Sequence, residues 1–130
     1  MLVGKHQHHI ASMQWFESRA KGEVGLCRVV QLSLIRLLGN ASVIGEPVLP
    51  ATDAWRLIKE SLDDERVEFL LEPSNIDTVL PNLFQYPVPT PKLINDAYLA
   101  AFAMASGRRL VTRDRGFLQF RGLEVELLGQ

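Results

Sequence analysis

Apolar positions change their period several times along the chain, and each change marks an element boundary. Ile10, Met13, Trp15 and Phe16 recur at roughly helical spacing within His8 to Ala20, a helix that Gly22 ends. The short β-branched run from Val24 to Val30 predicts a buried strand. Leu34, Ile35, Leu37 and Leu38 then predict a helix over Gln31 to Leu38, stopped by Gly39-Asn40. A further helix opens at Pro50-Ala-Thr-Asp53, carries Trp55, Leu57, Ile58 and Leu62, and closes in the acidic cluster Asp63-Asp64-Glu65.

Arg66 to Leu71 predicts a second strand, and residues 74 to 85 a helix begun by Ser74 or Asn75. In the loop that follows, Pro87, Pro89 and Pro91 forbid helix until Thr90 caps a new one with Pro91 at its first position. That helix runs to about Ser106, and Gly107 ends it. Arg109 to Thr112 and Leu123 to Leu128 predict the third and fourth strands. Strands separated by helical segments imply crossover connections, hence an α/β protein with a mainly parallel sheet and helices on both faces. Sheets of this kind bind ligands beyond the carboxyl ends of their strands, and Asp114 lies just past one such end.

Composition narrows the class without changing the fold. A chain of 130 residues with 47% hydrophobic content and a net charge of -1 fits one globular domain. Its single cysteine, Cys27, sits in an apolar run and forms no internal disulfide, which implies a buried structural thiol and a reducing, cytoplasmic setting. No apolar stretch approaches the roughly 20 residues that span a bilayer, so no membrane partner is expected. The charge is uneven: residues 92 to 121 hold six basic and two acidic residues, and the rest holds eight basic and thirteen acidic.

The two acids of that basic region carry the candidate chemistry. Asp96 lies in the second turn of an apolar helix beside Tyr98, Leu99, Ala101 and Phe102, and Asp114 follows the strand RRLVT. Each alone reads as an ordinary turn or ion-paired residue. Together at one end of a buried helix and strand, they need a compensating cation, and hard oxygen ligands select Mg²⁺ or Mn²⁺. Arg113 and Arg115 beside them are candidate contacts for phosphates while the carboxylates hold the metal. Other constellations are poorer. His6, His8 and His9 lack Cys or acidic companions at zinc-ligand spacing, no phosphate-binding glycine loop is present, and Trp15, Phe16 and Trp55 read as core or partner-facing aromatics.

The run Asp96-Ala-Tyr-Leu-Ala-Ala-Phe-Ala, Gly107, and Leu110-Val-Thr-Arg-Asp114-Arg-Gly-Phe117 resembles the C-terminal half of PIN-domain proteins, specifically VapC-type toxin ribonucleases. Leu26-Cys-Arg-Val-Val-Gln-Leu-Ser-Leu-Ile-Arg-Leu-Leu38, with His8-His9 and Trp15-Phe16 upstream, is similar to the middle of that family. The resemblance implies a three-layer α/β/α fold and a metal-dependent endoribonuclease of a type II toxin-antitoxin system. It further implies a VapB-type antitoxin, an RNA substrate and a homodimer. Asp96 and Asp114 match the family's third and fourth acidic positions and would be both catalytic residues and metal ligands. Thr112 lies beside the site in the family, and Gln31 stands at the second acidic position.

Two features depart from the family pattern. Gln31 keeps an oxygen but loses the charge, and the family's first strand with its terminal Asp has no counterpart, so residues 1 to 130 are expected to be an N-terminally truncated PIN-like domain. Glu23 precedes its strand and is expected at the opposite end from the other acids. With two of four expected acids present, a rival expectation is a catalytically defective module that binds antitoxin or RNA without cutting.

Overall fold

The computed structural model describes residues 14–40, 48–84 and 91–129. His6, His8, His9, the start of the first expected helix, the YPVPTP loop up to Pro89 and the Thr90 cap lie outside the described residues, and Pro91, expected at the first helical position, is instead the residue before the helix. The chain divides into two compact units, one up to Leu71 and the other from Glu72 to Leu128.

In the first unit, helical backbone at residues 14–17 leads through a turn to β1 (Val24–Leu26). Helix α1 (Arg28–Leu38) follows at once, then α2 (Ala51–Ser61) and β2 (Val67–Phe69). The strands pair in parallel, Val24 opposite Val67 and Leu26 opposite Phe69. The expected strand over Val24 to Val30 is therefore too long, because Val29 and Val30 belong to α1. Cys27 is the extended residue before that helix, and Gln31 N–H donates to its carbonyl at 3.0 Å, closing the first turn. The β-branched residues give way to a stronger pattern: Gln31 and Leu34, three apart, share the buried face. On α2 the buried residues are Ala54 and Ile58, whereas Leu57, expected on the apolar side, is exposed. Cys27 is a buried free thiol, as its apolar neighbours predict.

The second unit holds α3 (Ile76–Leu83), α4 (Lys92–Ser106), β3 (Leu110–Thr112), a 3-10 helix (Arg115–Gln119) and β4 (Val125–Leu127). Helix α4 packs on α3. Ala97, Ala100 and Ala101 on α4 are wholly buried, and side chains this small let a neighbouring backbone approach closely. Gly107 stops α4 in the left-handed conformation, φ 65° and ψ 30°. Its N–H donates to Met104 O (3.2 Å) and Arg108 N–H to Ala103 O (2.9 Å), the paired bonds of a Schellman cap. A side chain at Gly107 would meet nothing within 4 Å, so the requirement for glycine is conformational.

Strands β3 and β4 run parallel, Leu110 opposite Val125 and Thr112 opposite Leu127. Their crossover is the 3-10 helix, absent from the expected elements, and it is pinned by the buried rings of Phe117 and Phe120, 6.3 Å apart. Arg109 Nε and Glu126 Oε1 tie the strands across the pair at 3.4 Å. Among the described residues, no helix is long and apolar enough to cross a membrane.

Candidate functional site

Asp114 is the residue at which β3 turns into the 3-10 helix, and its geometry is set by backbone donors. Gly116 N–H donates to Asp114 Oδ1 at 2.8 Å, so the carboxylate caps that helix. Asp114 N–H in turn donates to Thr112 Oγ1 at 3.1 Å. A Cβ on Gly116 would lie only 3.0 Å from Asp114 Oδ1, so glycine is what lets the carboxylate come this close. This turn engages one carboxylate oxygen and leaves the exposed group oriented, with its second oxygen outside the cap. The hydroxyl of Thr112, used here as an acceptor, keeps its own proton for donation.

Asp96 lies on α4, half-buried beside the buried Ala97. A Cβ on Gly122, in the turn before β4, would meet Met104 Cε at 3.4 Å, and Ala103, Met104, Gly107 and Arg108 share a shallow concavity with Gly122 and Glu124. The C-terminal turn of α4 therefore sits where the strands begin. Ten residues of helix separate Asp96 from Ser106, about 15 Å along the axis, so Asp96 lies well away from that turn.

Flanking Asp114, Arg115 is exposed and Arg113 is half-buried. Nη1 of Arg113 is buried with no hydrogen-bond partner among the described residues. Among those residues no group of three or more His, Cys, Asp and Glu side chains gathers at metal-binding distance.

Gln31 lies in the first unit, 1% exposed, where Arg28 Nη1 donates to its Oε1 at 2.8 Å. Its oxygen is taken up by a cation, an arrangement invisible in the linear sequence. Arg28 itself is exposed and its guanidinium lies over the rings of Trp55 (5.4 Å) and Phe69 (5.0 Å). Trp15 and Phe16, expected to be core or partner-facing, are half-buried and covered by Arg19 (5.0 Å) and Arg66 (4.0 Å). Glu23 is occupied locally, its Oε1 accepting from Ala20 N–H at the amino end of β1. The strongest electrostatic pair of this unit is Arg66 with Asp64, Nη2 to Oδ2 at 2.7 Å and Nε to Oδ1 at 2.9 Å. Hydrogen bonds from the Arg66 side chain, and then from its backbone N–H, hold the Asp64 carboxyl down at about 2.

The PIN domain family model matches residues 1–123. The chain is 39% identical over 135 aligned residues to ribonuclease VapC41 of Mycobacterium tuberculosis, covering 100% of this chain and 92% of that protein. It is also 26% identical over 119 residues to ribonuclease VapC37 of the same organism, covering 90% of this chain and 82% of that one. Among solved structures, the crystal structure of VapBC2 from Rickettsia felis bound to a DNA fragment from their promoter aligns with a TM-score of 0.62 at 13% identity. That alignment covers 95% of this chain and 86% of the other. At that identity the likeness is one of fold, and with the family match it bears out the α/β/α PIN-like architecture expected from the sequence. The chain belongs to the PIN domain family and is VapC-like within it.

Proposed function

We propose that this chain is a metal-dependent endoribonuclease, the toxin of a type II toxin-antitoxin pair, with Asp96 and Asp114 as catalytic residues and metal ligands. The observation that carries the reading is the exposed Asp114 carboxylate, fixed by backbone just past the carboxyl end of β3, with Asp96 in the half of α4 remote from the turn that leads into that strand. Its relatives VapC41 and VapC37 are named ribonucleases, which supports the choice of reaction.

A bound Mg²⁺ or Mn²⁺ would make a coordinated water acidic enough to attack at neutral pH and would offset charge developing on the phosphate. The protein's own contribution is positional. Asp114 is oriented through Gly116 N–H, and Thr112 fixes the backbone that carries it. The guanidinium groups of Arg113 and of Arg115, at the start of the 3-10 helix, hold phosphates of the RNA on either side of Asp114 in sequence. A VapB-type antitoxin covers and silences the site, the toxin pairs as a homodimer, and the toxin acts in the cytoplasm on structured RNA, where loops and backbone shape are the readable features.

Asp114→Asn separates charge from geometry, because the amide oxygen still accepts from Gly116 N–H. Cleavage of RNA in Mg²⁺ is expected to fall about 100-fold or more. Asp96→Asn is expected to do the same, and calorimetry with Mn²⁺ should lose its binding heat in the double variant. Cleavage that survives both substitutions removes the metal mechanism. A native chain that binds RNA but neither takes up Mn²⁺ nor cuts is a non-catalytic PIN-like module.

A further inference from the structure

In the first unit, Arg28 is held more firmly than an exposed arginine ordinarily is. Its guanidinium lies over Trp55 and Phe69, and Nη1 donates to a Gln31 side chain that is itself 1% exposed. Contacts at the ring faces and at one donor fix the rotamer in advance, so an anion that binds the remaining donors orders little more. The identity of residue 31 matters. A glutamate there would cancel the charge of Arg28, whereas the neutral amide orients the guanidinium and leaves its full positive charge.

Lys59 adds a second cation to the same ring, with Nζ 5.6 Å from the Trp55 centroid. Flanking one ring, the two charges are at most about 11 Å apart, on the order of a screening length in moderate salt, so an anion meets them as one field. Asp53, the acid in the first turn of α2, is paired with Arg56 at 3.4 Å. Trp55 is 37% exposed, a large aromatic surface between two cations. Fixed guanidinium, ammonium and open indole together match a strand that alternates phosphate and base. A carboxylate-rich peptide would engage the cations and leave the indole unused.

We propose that Arg28, Trp55 and Lys59 form a contact for single-stranded RNA, with Gln31 as the residue that positions Arg28. The proposal rests on the reading of RNA as substrate, but it concerns binding and not cleavage. It is tested with a fluorescein-labelled 12-nucleotide uridylate and the full chain in EDTA, where the metal step plays no part. The chain has two tryptophans, Trp15 and Trp55, so Trp15→Phe leaves Trp55 as sole reporter.

RNA is expected to quench the emission of that variant. Joint Arg28→Gln and Lys59→Gln should weaken binding about tenfold or more and reduce the slope of affinity against salt by one to two, as expected for about two lost phosphate contacts. Gln31→Glu, which keeps the contact to Arg28 but cancels its charge, should weaken binding in the same direction while circular dichroism stays native. Calorimetry with Mn²⁺ on the Arg28, Lys59 double variant should match the unmodified chain, so failure of the metal site and failure of this contact are read separately. Unchanged affinity and salt slope in the double variant, unchanged affinity in Gln31→Glu, or equal quenching by a 12-residue polyglutamate would each overturn the proposal.

Discussion

In the first unit Arg66 grips Asp64 with two nitrogens while its guanidinium covers Phe16, and Arg28 is caught between Gln31, Trp55 and Phe69. In the second, Asp114 is held through one backbone N–H and stands exposed at the end of a strand. Side chains restrain side chains in the one, and backbone restrains a side chain in the other. A carboxylate bound to arginine has its charge already answered, so it holds structure. A carboxylate bound to an amide N–H keeps its full charge and can hold a cation.

The largest expected effect comes from removing what supports the backbone turn. Phe117→Ala takes a buried ring from under the 3-10 helix and should destabilise the chain by about 3–5 kcal/mol, read from urea unfolding, with cleavage lost in parallel. If Asp114→Asn proved equally destabilising, Asp114 would be a structural residue like Asp64 and the contrast between the units would fail. Gly107→Ala should cost about 1–2 kcal/mol by calorimetric melting, because an L-residue is strained at φ 65° although space is open around it.

The smallest effect concerns pH. Asp64 titrates at about 2 when folded, below the ordinary value of about 3.9 for an unfolded Asp. Its contribution to stability is therefore fully present above about pH 4 and is lost as pH falls towards 2. Titration followed by the carbon resonance of the carboxyl should place Asp64 near 2, and Arg66→Met should return it towards the ordinary value. An Asp64 midpoint near 4 in the intact chain would show that the pair does not persist in solution.

Much of this was legible in the order of residues, and the exceptions share a cause. Helix α4 shows its apolar face by period and its end by Gly107, both local signals. Strand β1 was overextended because Val29 and Val30 favour strand locally, while burial of Gln31 and Leu34 on one helical face decides otherwise. The 3-10 helix is too short to show a period, although Asp114 with a glycine two residues on is the local signature of the cap that starts it. The enclosure of Arg28 depends on Trp55 and Phe69, which lie far along the chain, and no spacing rule reports such a meeting. Asp96, Thr112, Arg113, Asp114 and Arg115 could be put forward as candidates from sequence, but the hydrogen bond of Gln31 with Arg28 could not.

The 3-10 helix is anchored inward by Phe117 and Phe120, while Arg115 and Leu118 point out to solvent. Within six residues the segment is divided between buried rings that keep the turn at Asp114 in place and exposed positions that do not support it. A change at the outward-facing Leu118 therefore leaves untouched the rings on which the acid's footing rests, so this short arc can vary on its outside while its inside stays fixed.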